Sequence, residues 1–179
     1  MIYIFDDFDK VTDEVYEFLF NLLPSTIKEK AQKRSGINRK ITIVEYFLLK
    51  KILKFSGFPD FKYTSNGKPM LDGYHFSISH SGEVICVATG DCSIGVDIEK
   101  IFPYDEDIAN LILNSNEIKM LDSKDKSLAL TKLFVQKESA IKCLGKTLGN
   151  IKEILDEPDL SYKFEMYGNY IICVCHKKS

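Results

Sequence analysis

The run from Phe76 to Glu99 constrains the fold of this chain more than any other stretch. It contains three segments rich in β-branched and small apolar residues, separated by Ser81-Gly82 and Gly90-Asp91. Such dipeptides are typical of tight hairpin turns. The pattern therefore predicts three short strands in an antiparallel meander, over residues 75–79, 84–89 and 93–99.

The last of these strands places two acids on one face. Side chains alternate along an extended chain, so in Ile94–Glu99 the carboxylates of Asp97 and Glu99 share one face and the aliphatic side chains share the other. Two carboxylates this close raise one another's pKa unless a cation, usually a divalent metal ion, lies between them. The sequence therefore predicts a metal-binding pair. Gly95 shares the acidic face, where we expect a side chain to crowd whatever lies over the metal.

Other helical and extended segments surround this centre. Residues 2–5 predict a short strand, and apolar spacings of three and four predict a helix that ends at Pro24 and a second, buried helix through Ile41–Ile52. The longest helix is predicted from about residue 124 to residue 144. The turn pair Gly168-Asn169 then predicts a final hairpin.

Composition limits the class of protein. The chain has 179 residues, 45% of them hydrophobic and 28% charged, which suits one domain or one domain built of two small halves. Its formal net charge of -2 provides no general basic field for nucleic acid. The five cysteines lack C-x-x-C spacing, and neither a basic leader nor an apolar run of about 20 residues is present. We therefore expect a soluble cytoplasmic protein with reduced thiols that binds neither nucleic acid nor a membrane.

The long helix carries a second group of charged residues, within the segment Lys137-Glu138-Ser139-Ala140-Ile141-Lys142. At about 100° per residue, Lys137 falls within the apolar stripe, and Glu138 and Lys142 lie on its edge. Without other partners, Glu138 and Lys142 would form a surface ion pair that stabilises the helix by about 0.2–0.5 kcal/mol. The stem of Lys137 would then extend past the core towards solvent. Together with Asp97 and Glu99, the segment provides a third carboxylate and two ammonium groups, which suits a metal–pyrophosphate ligand.

Two further features allow more than one interpretation. Ser79-His80-Ser81 ends the first predicted strand, where a lone histidine is more often structural or on the surface. Because nothing in the sequence points to an orienting acid, the favoured functional interpretation is donation to a phosphate and not nucleophilic chemistry. The segment 28–40 concentrates six basic residues against one acid, which is compatible with a solvated helix face, the simpler interpretation, or with an anion site. The three histidines are far apart in sequence and do not predict a zinc site.

The chain resembles the 4′-phosphopantetheinyl transferases in the order of its motifs, which are G-K-P (Gly67-Lys68-Pro69), S-H-S, G-V-D-I-E and F-x-x-K-E-x-x-x-K. Its length resembles that of the single-chain, Sfp-type branch. The resemblance implies an α+β fold of two similar halves, residues 1–99 and 100–179, related by a pseudo-twofold. Each half would be a helix packed on a small antiparallel sheet, with the active site between the halves. Such a chain is expected to act as a monomer.

The family transfers the 4′-phosphopantetheine arm of coenzyme A to a serine of an acyl, peptidyl or aryl carrier protein and releases adenosine 3′,5′-bisphosphate. By this resemblance, Mg²⁺ would be held by Asp97, Glu99 and Glu138. Glu138 would also be the catalytic base, and Lys142 would stabilise the charge on the leaving phosphate. The other implied contacts are with coenzyme A: Thr42 and His80 at the 3′-phosphate, Ser79 and Lys137 along the coenzyme, and Gly67, Lys68 and Pro69 at the adenine. The carrier partner is expected to be acidic and to contact the basic segment or the surface just after Ile101.

Two positions depart from the family pattern. Phe134 stands where relatives carry Trp, so we expect a change in packing. Ile41 stands where many relatives carry a basic residue. One of five other basic residues would then take over its role: Lys28, Lys30, Lys33, Arg39 or Lys40. Two other functions stay open, a Mg²⁺-dependent hydrolase of a nucleotide pyrophosphate and a non-catalytic module that binds coenzyme A or a carrier protein.

Overall fold

The computed structural model describes residues 1–57, 59, 61–64, 67–121 and 124–178. Helices and antiparallel sheets both contribute to it, so the fold class is α+β, as predicted. The sequence predicts that the buried helix ends at Ser56-Gly57-Phe58-Pro59 and that a turn follows at Asn66-Gly67-Lys68-Pro69; Phe58 and Asn66 lie outside the described residues. None of the helices in the described part of the chain is long and apolar enough to cross a membrane.

The N-terminal part of the chain packs helices on a small sheet. In chain order its described elements are β1 (Ile2–Phe5), α1 (Asp13–Leu22), α2 (Ser25–Gln32), α3 (Gly36–Ile52), β2 (Lys62–Tyr63), β3 (Pro69–Met70), β4 (His75–Ser81) and β5 (Val84–Gly90). β5 lies at the centre of the sheet and pairs antiparallel with β1 and β4. The short strands β2 and β3 pair separately. As predicted, α1 ends before Pro24, whose ring and missing N–H do not allow the helix to continue.

The C-terminal part repeats this plan. Its described helices and strands are β6 (Ile94–Lys100), α4 (Glu106–Ile112), α5 (Ser115–Met120), α6 (Lys126–Leu144), β7 (Leu160–Tyr167) and β8 (Tyr170–Lys177). Local signals define both ends of α6: the Asp125 side chain accepts from the Leu128 N–H, and Gly145 closes the helix at φ 67°. The strands make a sheet in the order β6-β8-β7. In each of the two sheets, the strand that comes last in the chain lies between the other two: β5 lies between β1 and β4, and β8 lies between β6 and β7.

The position of β6 corrects one prediction. Instead of continuing the meander beside β5, β6 pairs antiparallel with β8, where Asp97 lies opposite Cys173. The contact between β6 and β4 runs through serine hydroxyls: Ser77 Oγ accepts from the Val96 N–H at 3.0 Å, and Ser81 Oγ accepts from the Lys100 N–H at 3.2 Å. The meander prediction is therefore wrong for its third strand. The pseudo-twofold and the division into residues 1–99 and 100–179 remain predictions.

Burial confirms the predicted alternation along β6. Val96 and Ile98 are fully buried between the two sheets, in a cluster with residues of β5 and β8. Asp97 on the opposite face is also buried, with 3% of its surface exposed. A second apolar cluster lies beneath α1–α3 and a third beneath α6. Asp97 is therefore enclosed by the fold, whereas Glu99 on the same face is only partly buried.

Candidate active site

A cavity of about 830 Å³ lies where the two sheets, α3 and α6 meet. Its lining includes every predicted site residue except Lys137: Thr42, Gly67, Lys68, Pro69, Ser79, His80, Asp97, Glu99, Glu138 and Lys142. These residues come from the helix and sheet of the first part of the chain and from the strand β6 and helix α6 of the second. The fold therefore brings together motifs that are far apart in sequence.

Asp97 is the centre of a buried polar network. Its Oδ1 accepts from Ser79 Oγ at 2.7 Å and from Lys142 Nζ at 2.7 Å, and Lys142 Nζ also lies 2.8 Å from Ser79 Oγ. Its Oδ2 is buried and has no hydrogen-bond partner among the described residues. An unsatisfied buried carboxylate oxygen is costly, and a bound cation would satisfy it. The free oxygen of Asp97 therefore points to a ligand.

Two further acids border the same space. Ser81 Oγ donates to Glu99 Oε2 at 2.7 Å, while burial, with the charge of Asp97, raises the pKa of Glu99. Glu138 lies one turn before Lys142 on α6, and burial, with the charges of Asp97 and Glu99, raises its pKa as well. Carboxylate oxygens are the ligands that Mg²⁺ prefers, so the donor set fits this ion by its chemistry. In the described part of the chain, however, no three acids, histidines or cysteines are gathered closely enough to form a complete metal site.

Another part of the cavity lining is rich in hydrogen-bond donors. Arg34 Nη1 donates to Thr42 Oγ1 at 3.1 Å, and Thr42 Oγ1 donates to the Asn38 carbonyl at 3.0 Å. His80 Nδ1 lies 3.1 Å from Glu45 Oε1. The sequence analysis missed Arg34 and Glu45 as site residues. Glu45 could have been found, because it follows Thr42 by three positions and so shares its face of α3.

The structure separates the basic residues that could replace the base expected at Ile41. Arg39 and Lys40 pair with Glu17 and Asp13 of α1. Lys28 donates to a carbonyl of α1, whereas Lys30 lines the cavity. Arg34, which was not among the candidates, is the base in contact with Thr42.

Lys68 ties the loop between β2 and β3 to the rest of the site. Its ammonium donates to the carbonyls of Ile94 at 2.9 Å and Lys142 at 2.7 Å. The Lys142 carbonyl belongs to the last turn of α6, where carbonyls lack helical partners. Burial lowers the pKa of Lys68. The side chain of Lys68 thus holds the end of α6 and the start of β6.

We expect Lys68→Met to destabilise the protein by about 2 kcal/mol, because two buried carbonyls lose a charged donor. Urea unfolding at equilibrium measures this. Lys62→Met is the matched control in the same hairpin; Lys62 and its partner Asp72 are exposed, so its loss is expected to stay below about 1 kcal/mol. Equal midpoints for the two variants would show that the Lys68 contacts do not stabilise the fold.

Lys137 does not reach the cavity. It is fully buried, donates to the carbonyls of Ile151 and Lys152 at 2.9 Å each, and pairs with Glu117 at 2.8 Å. All three protons of its ammonium group are thus used away from the site. The structure therefore places Lys137 as a link between α6, α5 and the segment around residue 151, and we leave it out of the ligand-binding set.

The surroundings of Gly95 differ from the sequence expectation. A Cβ atom at this position would lie 2.0 Å from the carbonyl oxygen of Ser139 and 2.4 Å from the nitrogen of Cys143. What lies over Gly95 is therefore the backbone of α6. This close approach brings the helix that carries Glu138 and Lys142 against the strand that carries Asp97.

Phe134 lines the cavity on the turn of α6 before Glu138. Its ring packs edge-to-face on Phe102, with the ring centroids 5.9 Å apart and an interplanar angle of 84°. Such pairs add to the free energy gained by burial alone. The residue in place of the expected Trp is thus packed against a second aromatic ring at the wall of the cavity.

Together, the fold and the cavity define an α+β protein with a cleft of acids, lysines and hydroxyls suited to a phosphate-bearing ligand. Residues 93–175, from the residue before β6 into β8, match the family model of the 4'-phosphopantetheinyl transferase superfamily. The chain is similar to this superfamily over these residues, and the relatives to which it is similar are 4'-phosphopantetheinyl transferases that include Sfp.

Three curated relatives illustrate the similarity. The chain is 30% identical over 155 residues to the 4'-phosphopantetheinyl transferase gsp of Aneurinibacillus migulanus, covering 78% of this chain and 65% of the relative. It is 35% identical over 113 residues to the 4'-phosphopantetheinyl transferase Sfp of Bacillus subtilis (strain 168), covering 62% of this chain and 49% of the relative. It is 35% identical over 92 residues to the 4'-phosphopantetheinyl transferase psf-1 of Bacillus pumilus, covering 48% of this chain and 40% of the relative. The matched part of the chain thus spans between about two fifths and two thirds of these relatives.

Proposed function

We propose that this chain transfers the 4′-phosphopantetheine arm of coenzyme A to a serine of an apo carrier protein, with Mg²⁺, and releases adenosine 3′,5′-bisphosphate. The observation that carries the proposal is the convergence of Asp97, Glu99, Glu138 and Lys142 in one cavity, with one oxygen of Asp97 buried and unpartnered among the described residues. The names of the relatives support the same activity. Phosphoryl transfer depends mainly on positioning and charge neutralisation, which such a group can provide.

We place each part of coenzyme A beside the cavity residues whose charge or hydrogen-bonding groups suit it. The 3′-phosphate would lie among Arg34, Thr42 and His80, and the adenine would lie against the loop of Gly67, Lys68 and Pro69. Ser79 would border the pyrophosphate. Asp97, Glu99 and Glu138 would hold Mg²⁺, which when bound would neutralise charge on the pyrophosphate.

In the proposed reaction, Glu138 accepts the proton of the carrier serine. The serine oxygen forms a bond to the phosphorus atom that bears the pantetheine arm, and the bond from that phosphorus to the oxygen of adenosine 3′,5′-bisphosphate breaks. Lys142, held between Asp97 and Ser79, would offset the charge of the leaving phosphate. We propose an acidic carrier protein as partner, a cytoplasmic location and a monomeric enzyme.

Mass spectrometry of an apo carrier protein tests the function. Incubation with the enzyme, coenzyme A and Mg²⁺ is expected to add one phosphopantetheine group to the carrier, and chelation of the metal is expected to prevent this. No mass gain with any of several acyl and peptidyl carriers would contradict the proposal. Release of phosphopantetheine without an acceptor would instead indicate a hydrolase, and tight coenzyme A binding without turnover would indicate a binding module.

We expect Asp97→Asn to slow transfer by about a hundredfold, because the variant loses the charge that holds Lys142 and that would bind the metal. Initial rates at saturating carrier measure this, and circular dichroism checks that the fold is intact. Asp91→Asn is the matched control, because Asp91 is exposed in the turn before β6 and its variant should retain the full rate. A folded Asp97→Asn variant with wild-type activity would show that the site is assigned wrongly.

A further inference from the structure

Glu45 introduces a carboxylate into the donor-rich part of the cavity. It lies on α3, where 15% of its side chain is exposed, and it lines the cavity with Arg34, Thr42 and His80. A carboxylate beside a phosphate site repels the ligand if it acts alone. Its effect on binding therefore depends on what its partner does.

The partner of Glu45 is the Nδ1 atom of His80, 3.1 Å from Oε1. A carboxylate accepts a hydrogen bond, so the pair requires the proton on Nδ1 and leaves Nε2 as the ring nitrogen for a ligand. When the ring carries a proton on each nitrogen, Nδ1 donates to Glu45 and Nε2 can donate to an anion. Glu45, although negatively charged itself, thus orients His80 so that the ring can donate to an anion.

The other surroundings of His80 suit an anion. His80 also borders a second cavity of about 450 Å³, and its other lining residues are basic or neutral and polar: Lys33, Arg34, Ser35 and Asn38. A dianionic phosphate monoester placed there would meet two cations and the ring. Asp97, Glu99 and Glu138 line the larger cavity and are not among the described residues that line this second one.

We propose that Glu45 is a positioning residue that, by orienting His80, sets the preference of this site for a ligand with a terminal phosphate monoester. The inference rests on the proposed function, in which this part of the cavity receives the 3′-phosphate of coenzyme A. It adds a residue that acts on the ligand through another side chain. Its effect should therefore appear in the discrimination between ligands that differ only in this phosphate.

Calorimetry with two nucleotides tests the inference without a carrier protein. For the wild type, adenosine 3′,5′-bisphosphate is expected to bind more tightly than adenosine 5′-monophosphate. Glu45→Met is expected to reduce this preference about tenfold while leaving the affinity for the monophosphate unchanged, because the ring loses the partner that orients its donor. Glu45→Gln should retain part of the preference, because its amide oxygen can still accept from Nδ1. Glu29→Met, at an exposed position on α2, is the control and should not change the preference.

A second set of variants separates positioning from general stability. In a His80→Gln background, Glu45→Met is expected to have no further effect on the preference, because its route to the ligand is already removed. Equal loss of affinity for both nucleotides would indicate a purely structural role and overturn the inference. An unchanged preference in Glu45→Met would also overturn the inference, and an increased preference would show that the carboxylate only repels the phosphate.

The same measurements distinguish this inference from the proposed function. A wild type that binds neither nucleotide would overturn the inference, whereas the proposed function is tested separately by modification of a carrier protein. If the wild type prefers the bisphosphate and Glu45→Met abolishes the preference, the inference holds even where no carrier protein is modified.

Discussion

Gly95→Ala is expected to lower the free energy of unfolding by about 3 kcal/mol or more, at or above the upper end of the usual cost of overpacking. The added Cβ would lie 2.0 Å from the Ser139 carbonyl oxygen and 2.4 Å from the Cys143 nitrogen. Both are backbone atoms of α6, so no side chain can rotate away and the helix itself must move from β6. Gly95→Val, with a branched side chain, should be worse still. Urea unfolding without ligand measures both.

Gly57→Ala is the matched control for this prediction. A Cβ at Gly57 would have no neighbour within 4 Å, so its variant should unfold within about 0.5 kcal/mol of the wild type. The two explanations for Gly95 differ in what they expect of the ligand-free protein. If the glycine only made room for a bound metal and coenzyme A, Gly95→Ala would have normal stability and would lose only ligand binding. That result would contradict the packing explanation.

Lys137→Met is expected to cost about 3–5 kcal/mol of stability, the range observed when one partner of a buried ion pair is removed. The ammonium is fully buried and has three acceptors, Glu117 and the carbonyls of Ile151 and Lys152. Methionine approximates the length of the lysine stem, so the loss reports on the charge and its bonds. Thermal and urea unfolding of the purified variant measure it.

Two variants make this test specific. Glu117→Gln in the Lys137→Met background should recover part of the loss, because no uncompensated carboxylate is then left; the amide oxygen can still accept from Asn114 N–H in the capping box. Lys132→Met, an exposed lysine of the same helix that lies over the Phe164 ring, should cost less than about 1 kcal/mol. A stable Lys137→Met variant with weakened coenzyme A binding would instead support the contact with the coenzyme that the sequence implied.

Local patterns predicted much of the secondary structure. The long helix was expected over about 124–144 and runs over Lys126–Leu144, and the strands begin and end within about two residues of their predicted limits. The alternation that buries Val96 and Ile98 and places Asp97 on the other face is confirmed. These features depend on side chains a few positions apart, so a short stretch of sequence contains the information for them.

Other predictions failed where the partner lies far away in sequence. The pattern of β6 was compatible with pairing to β5, whereas the partner is β8, more than seventy residues later. Helical spacing placed Lys137 correctly in a buried stripe but could not show that its acceptors lie on α5 and near residue 151. Arg34, Arg39 and Lys40 are similar in sequence terms, yet acids on α1 pair with two of them and leave Arg34 for Thr42.

For this protein, the sequence by itself determined the strand with its two acids on one face and the charged side of the long helix, because alternation and helical spacing are local properties of the chain. The order of its motifs added the resemblance that implied the α+β class and the residues that could bind a metal and phosphates. Only the tertiary structure decided which of those residues meet. Asp97, Ser79 and Lys142 form one network because β6 joins the second sheet while serine hydroxyls attach it to β4, and because Gly95 allows α6 to pack directly on that strand. These contacts depend on the packing of elements that are distant in sequence, and that packing also directs Lys137 away from the cavity and brings Glu45 to His80.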